Sequence, residues 1–396
     1  MCIRDSLLVD RGCEVRKVEI DPCHRWTVSG GTDRFLALVE QSPDLPMALP
    51  AWIDLVFRSG ARQSLGEPMG PPDRAAALAS LDGLARAMVG RDAPAELLVA
   101  LRDLPSGDAA LAQLAIGPAV PSPSLTLLLP LDPDPAIVRC RLGLLAQEPG
   151  AARLELLHLA DARTPVDAAR SLLEGLHAVH GLSGTLLHAR NEAGMSAGAA
   201  LASAMAVARA PFLIRIGEGV LPEHRGWAAK LRRFLACRPA TRAVGLPVIA
   251  ADDTLIHGGG TLELGEHGRP RLALKDQGLP LTMCRTRTRQ TEILPDGCLA
   301  VRRADLPLLT AGLDRFHTAE GAMIALVRAA AMLGQTWTLG HPVVVRVSPR
   351  AMLSPAAALL RQADLATALD LAIRPEQATV AHPPWVVEPD ERSRAA

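Results

Sequence analysis

The segment Arg209–Trp227 is the first place to look for chemistry. Its apolar run, Phe212 to Ile216, stops at Gly217-Glu218-Gly219 and continues through Val220, Leu221 and Pro222 to Trp227. A buried strand that ends in such a loop is a common seat for an acidic metal-binding cluster, because hard cations take oxygen ligands held on short loops. Here the cluster is one carboxylate. Glu218 therefore reads either as a lone ligand for Mg²⁺ or Mn²⁺ or as a solvated turn residue. The glycines beside it add a third option, a nest of backbone N–H groups facing an anion without any metal. A second constellation is nucleophilic: Gly194–Gly198 (GMSAG) fits G-x-S-x-G and His257–Gly260 (HGGG) fits an oxyanion-hole loop. A nucleophile elbow needs a strand running straight into its first glycine and an HGGG loop earlier in the chain. The residues before Gly194 are polar (ARNEA) and HGGG comes later, so the pattern argues against such a hydrolase.

These residues need elements to hold them. LTLLLPL (Leu125–Leu131) is a continuous apolar run, as in a strand buried on both faces. Asp134 and Pro135 then open a helix to Gln147 as cap and first-turn residue. Strand and helix alternate onward: RLELLHLAD (153–161), a helix over 165–181, GTLLHA (184–189), a helix over 197–210 and PFLIRI (211–216). Such alternation predicts parallel strands with crossover helices, an α/β sheet whose ligands bind beyond the strands' carboxyl ends. That places Pro130 to Asp132, Asp161, Asn191 to Gly194 and Gly217 to Gly219 along one rim. Upstream, WIDLVF (52–57) alternates like a strand, and 73–89 and 94–104 read as helices. The Pro/Ser/Gly-rich stretch Ile116–Ser124 marks a boundary, and Ser354-Pro355 opens a last helix to Ile373. The expected division is an α+β accessory unit over 1–118, the α/β unit over 119–350, and a C-terminal helix with a frayed tail over 351–396.

Bulk properties narrow the function. Apolar residues make up 49%, enough for a large core. Lys+Arg and Asp+Glu are both 42, so nothing points to nucleic acid. Tyrosine is absent and aromatics total 3%, which counts against a sugar surface built on stacking. The cysteines (Cys2, Cys13, Cys23, Cys140, Cys237, Cys284, Cys298) include no C-x-x-C pair and read as mostly buried thiols in a reducing, cytoplasmic compartment. No apolar stretch is long enough to span a bilayer, which leaves peripheral contact with the inner face of a membrane open.

Taken in order, the pieces from about Ser124 to Val347 resemble the family 2 glycosyltransferases of the GT-A fold. The strand ending at Pro130, here followed by Leu131-Asp132, is similar to the family's opening strand. Asp161 resembles its uridine-contacting acid. HARNEAGMSAGAALASAMAVARAPFLIRI resembles its Asn-and-Gly loop, small-residue helix and next strand. GVLPEHRGWAAKLRRFL is similar to the stretch after its metal motif, and DDTLIHGGG to a common strand-and-turn insertion. DGCLAVRRADLPLLTAGLDRF, with Gly297, Arg302-Arg303, Gly312 and Asp314, is close to the segment before its catalytic acid.

The resemblance implies a mostly parallel GT-A-like sheet flanked by helices. It also implies transfer of a sugar, with inversion, from a nucleotide-diphosphate donor to a carbohydrate or other hydroxyl acceptor, in polysaccharide biosynthesis. Pro130, Asp132, Asp161, Asn191, Gly194, Gly217, Glu218, Gly219, Gly297 and Arg302 would face the donor, and Glu320 would be the base. Two departures stand out. The family's Asp-x-Asp, which holds the divalent metal, is replaced by Gly217-Glu218-Gly219, and its Glu-Asp acid pair by Glu320-Gly321. Blander roles stay open beside these: a helix cap for Asp161 with Thr164, a plain loop at Asn191 and Gly194, solvated arginines at 302–303, structural histidines at 257 and 317, and a turn at Asp314. The competing expectation is a protein that keeps the fold as a non-catalytic binding or scaffold module.

Overall fold

Alternation within single strands decides the layering. Leu125, Leu127 and Leu129 join one apolar core, while Leu128 between them joins another, as the two-residue period of extended chain requires. In the computed structural model of the 396-residue chain, residues 110–373 are described apart from 162–163, 190–194, 266–269, 283–287, 295–296, 342 and 348–353. Ahead of them come the backbone of strands between 4 and 65 and single positions from 98 to 106. Strands β1 (Arg4–Asp10), β2 (Val15–Ile20), β3 (His24–Gly30), β4 (Arg34–Gln41), β5 (Ile53–Phe57) and β6 (Arg62–Leu65) form the antiparallel sheets β1-β4-β3 and β2-β5-β6. The strand expected at 52–57 is β5. The helices expected at 73–89 and 94–104 lie outside the described residues, save that Leu98, Leu101 and Arg102 are helical.

The remaining strands are β7 (Leu111–Ile116), β8 (Leu125–Pro130), β9 (Leu154–Leu159), β10 (Gly184–Ala189), β11 (Phe212–Ile216), β12 (Val220–Pro222), β13 (Thr241–Leu246), β14 (Val248–Ala250), β15 (Leu255–His257), β16 (Gly260–Leu264), β17 (Pro270–Leu274), β18 (Arg289–Gln290), β19 (Cys298–Arg302), β20 (Gln335–Thr338) and β21 (Val344–Arg346). The helices are α1 (Pro135–Ala146), α2 (Val166–His180), α3 (Ala197–Ala206), α4 (Trp227–Ala236), the single turn α5 (Leu306–Leu309), α6 (Ala319–Leu333) and α7 (Pro355–Ile373). A nine-stranded sheet runs β18-β20-β13-β19-β11-β8-β9-β10-β7. Its neighbours β10, β9, β8 and β11 are parallel, as are β13 and β20. β19 runs antiparallel between β11 and β13, and β7 and β18 are antiparallel edges. Helices α1, α2 and α4 cover one face through Val138, Leu142, Leu173, Trp227 and Leu231. Helices α3, α6 and α7 cover the other through Leu201, Met205, Met323, Leu326 and Leu365. A mostly parallel sheet flanked by helices is the GT-A-like α/β layout that the resemblance implies.

Local chemistry sets the boundaries. Asp134 caps α1 by accepting from the Ala136 amide at 2.8 Å, and Ser354 caps α7 by accepting from Ala357 at 3.1 Å. Helix α3 stops at Ala206, short of the expected Ala210; Pro211 disfavours helical backbone in the residue before it. Strand β7 pairs along its length with β10, so the large sheet begins at Leu111 and the expected boundary at 118 falls after its first strand. Cys298 is buried, and burial pushes its thiol up, whereas Cys140 and Cys237 are exposed. Among the described residues no helix is long and apolar enough to cross a membrane.

Beneath the sheet's carboxyl edge, His158 of β9 and His177 of α2 share an Nε2···Nε2 hydrogen bond of 2.9 Å, both 2% exposed. One neutral ring donates and the other accepts. Burial pushes His158 well down, helped by His177 and the Arg141 cation, and pushes His177 down to about 4. The unfolded chain takes up protons near the ordinary value of 6.5 while the folded pair resists. Stability from the neutral pair is therefore full above about pH 6.5 and declines as pH falls through that value toward 4, by on the order of 3 kcal/mol for His177. Chemical denaturation of wild type and His177→Gln from pH 7.5 to 4.5 checks this: the variant's profile should be flatter, and parallel profiles would refute it.

Candidate functional site

Because β9, β8 and β11 are adjoining parallel strands, their carboxyl ends sit side by side. Asp161 follows β9, Asp132 follows β8 and Gly217-Glu218-Gly219 follows β11. The antiparallel β19 starts at the same edge, and Gly297 just before it accepts from the Gly217 amide at 2.5 Å. An added Cβ at Gly297 would lie 2.5 Å from the Val248 side chain, which would have to shift to admit it. Pro130, Asp132, Asp161, the 217–219 turn and Gly297 thus gather on one rim. Asn191 and Gly194 lie outside the described residues.

The chemistry of this rim differs from what the residue types promise. Asp132 is 6% exposed; its carboxylate accepts from the Gly219 amide at 2.7 Å and the Asp134 amide at 3.2 Å. Arg141, on α1, lies 3.7 Å from the same carboxylate. Its guanidinium donates to the carbonyls of Pro130 (2.9 Å), Gly217 (3.2 Å) and Val220 (3.3 Å). This buried cation ties the ends of β8 and β11 together. The amides of Gly217 and Gly219 are engaged by Gly297 and Asp132, so the glycines serve the turn rather than an anion nest. Gly219 adopts φ 62°, which suits glycine. Glu218 is exposed at the tip, and its carbonyl accepts from Arg346 of β21 at 3.2 Å.

Metal ligation can be judged from the donor set. Glu218 projects one carboxylate at the turn, Asp132 is committed as above, and among the described residues no three of His, Cys, Asp and Glu gather where an ion could sit. These residues do not fit a resident Mg²⁺ or Mn²⁺ site. Two guanidiniums, Arg141 and Arg346, hold the turn instead.

The rest of the rim is the head of α6. The path from Gly334 at the foot of α6 into β20, parallel to β13, puts the amino end of α6 at the carboxyl edge. Packing agrees: Ser196, the cap of α3, donates to the Asp314 carbonyl at 2.7 Å, and the Gly198 amide donates to Phe316 O at 3.0 Å. Ser196 is 1% exposed and accepts from Ala199; it is a helix cap and not an exposed nucleophile. Thr318 caps α6, and Glu320 follows in the first turn. Both Glu320 oxygens accept from Arg361 of α7, at 2.7 and 3.2 Å.

Asp161 is exposed, and α2 starts with Pro165 at the cap position and no side-chain cap, so the cap role weighed for Asp161 and Thr164 is not adopted. His317 is wedged, its Nε2 2.6 Å from the Leu101 carbonyl and its amide donating to Asp364. Asp314 lies in a 3₁₀ turn. Arg302 does not join the rim. It pairs with Phe212 at the start of β11, the opposite edge of the sheet, because β19 runs antiparallel. Its guanidinium donates to the carbonyls of Leu235, Arg238 and Thr241, where α4 ends. Sequence reasoning missed Arg141, Arg361 and Asp364. A signal for the first existed: Ile137, Val138, Leu142 and Leu145 trace the buried stripe of α1, and Arg141 falls inside it.

No family model matches the chain, and no curated protein matches it in sequence. Among solved structures it is similar to GalNAc-T7 with UDP, GalNAc and Mn²⁺, at 12% identity and TM-score 0.44 over 61% of this chain and 48% of that one. It is also similar to the mannosyltransferase PcManGT from Pyrobaculum calidifontis in complex with GDP-Man and Mn²⁺, at 16% identity and TM-score 0.38 over 77% and 87%. A third similarity is to S. aureus TarS 1-349, at 12% identity and TM-score 0.36 over 57% and 61%. The chain spans 48% of the first of these chains and 61% of the third.

Proposed function

We propose that the protein is a glycosyltransferase that moves a sugar from a nucleoside-diphosphate donor to a hydroxyl acceptor with inversion. The observation that carries this is the convergence of Asp161, the 217–219 turn, Gly297 and the Glu320-bearing head of α6 on one rim of a parallel sheet. In this reading Asp161, together with Asn191 and Gly194, contacts the nucleoside. Glu218, whose carbonyl accepts from Arg346, lies in the same reading on the diphosphate side. In the transfer, the acceptor oxygen bonds to the anomeric carbon as the bond to the diphosphate oxygen breaks. The electron pair leaves with the diphosphate, and the acceptor proton passes to Glu320. A carboxylate offers about four lone-pair positions, so the two bonds from Arg361 leave room for that proton. No step is assigned to a metal.

The second reading is a non-catalytic module. It is favoured by how fully the polar groups of the rim are engaged from within: Glu320 with Arg361, Asp132 with Arg141. Calorimetric titration of UDP and GDP, with and without Mn²⁺, followed by hydrolysis of the matching nucleotide-hexose, separates the two. The transferase reading expects nucleotide binding at any Mn²⁺ level and turnover that falls 10²–10⁴-fold in Glu320→Gln, the usual worth of general-base help. Binding without turnover supports the module, and no nucleotide binding of any kind undermines both models of the site while leaving the fold untouched.

A further inference from the structure

A Cβ added at Gly321 would lie 2.3 Å from Asp364 Oδ2, 2.4 Å from its Cβ and 2.6 Å from its Cγ. The carboxyl group of Asp364, carried in by α7, fills the volume that a side chain at 321 would take. It is 1% exposed. Oδ1 accepts from the His317 amide at 2.9 Å, and Oδ2 accepts from the Thr318 amide at 2.8 Å and the Thr318 hydroxyl at 2.6 Å. Those are donors at the open end of α6, where negative charge is favoured by the unpaired amides and the helix dipole. One turn away on the same helix, Arg361 clamps Glu320 through both oxygens. One element thus delivers a carboxylate beside Glu320 and a guanidinium onto it.

We propose that Asp364 is a positioning residue for Glu320, the second carboxylate of an acid pair split between two helices, with Gly321 as the niche that admits it. The inference rests on Glu320 being the base. Asp364 anchors Thr318 and His317, the residues leading into Glu320, and so sets where the Glu320 carboxylate meets the acceptor. Because α7 supplies it, docking of the C-terminal helix completes the site.

The test is a four-way comparison in the full chain: wild type, Asp364→Ala, Gly321→Asp, and the double variant that returns the carboxylate to position 321. Each is measured for melting temperature and for hydrolysis of whichever nucleotide-hexose the wild type binds. Each single variant should lose kcat at least tenfold with donor KM changed less than about twofold. Asp364→Ala does so by emptying the niche, Gly321→Asp by forcing two carboxylates into one space. The double variant should recover at least half of the lost kcat and of the lost melting temperature. Asp364→Ala that melts early yet keeps wild-type kcat reduces Asp364 to a structural cap and overturns the proposal. So does a double variant that stays as impaired as the worse single. If wild type turns over no donor, the transferase reading fails and the positioning role falls with it. Recovery of melting temperature in the double variant then supports only the filling of the Gly321 niche by Asp364, and its absence overturns that as well.

Discussion

Arg141→Met should destabilise the protein by about 3–5 kcal/mol, the range for removing one partner of a buried ion pair. The side chain is enclosed and donates to three carbonyls besides facing Asp132. Methionine approximates its length but offers no donor, so Pro130, Gly217 and Val220 lose their partner and the Asp132 carboxylate keeps only its amide bonds inside the protein. Buried acceptors left in that way account for the cost. Adding Asp132→Asn should restore part of the loss, because the uncompensated charge goes with it. Chemical denaturation of the single and double variants gives the coupling. The same variant should weaken nucleoside-diphosphate binding, since the guanidinium sets the spacing between the ends of β8 and β11. If Arg141→Met melts like wild type, the guanidinium is not the staple described here.

Gly198→Ala should be comparably severe for one methyl group. Its Cβ would lie 1.8 Å from the Leu313 carbonyl oxygen and within 2.9 Å of the Phe316 carbonyl oxygen. Both are backbone atoms, so no side chain can swing aside, and packed interiors tolerate little added volume. The turn at 312–316 must back away from α3, at a cost of roughly 3 kcal/mol by the usual scale for overpacking. The amide bond from Gly198 to Phe316 stretches or breaks with it. That turn leads directly into Thr318 and Glu320, so donor turnover should fall by more than the stability loss explains; a displacement of about 1 Å in a catalytic group can cost 10²-fold. Thermal melting together with turnover at a temperature where the variant is folded checks both parts. A variant with a wild-type melting temperature would mean the α3–turn contact is looser than described.

Much of the architecture was legible beforehand. The alternation of β8, α1, β9, α2, β10, α3 and β11 follows from apolar runs separated by helical stretches, two of them opened by a capping side chain. That Asp132, Asp161 and Glu218 share one rim follows from the parallel strand direction that such alternation implies, whereas the neighbouring of β11 and β8 was set by the sheet order. Arg302 shows where this reasoning ends. Its neighbourhood in sequence resembles the segment before a catalytic acid, and Arg302 was expected to face the donor. Yet an antiparallel strand carries its last residue to the far edge, and strand direction is not written in a five-residue apolar run. The 217–219 turn is a second case. Two glycines are compatible with an anion nest, but whether their amides face a ligand or a neighbouring carbonyl depends on Gly297 and Asp132, which arrive from other strands.

Periodicity and capping are local properties, governed by residues within a turn or two, and a single chain reports them directly. It therefore dictated the layered α/β sheet and the rim that its loops share. Which charges on that rim stay exposed is a matter of pairing across long separations. Arg141 against Asp132 and Gly217, Arg361 against Glu320, and Asp364 in the space left by Gly321 each became fixed only when helices folded back onto the sheet. A carboxylate behaves as a ligand, a base or a cap according to the donors brought within about 3 Å of it, and those donors come from elsewhere in the chain.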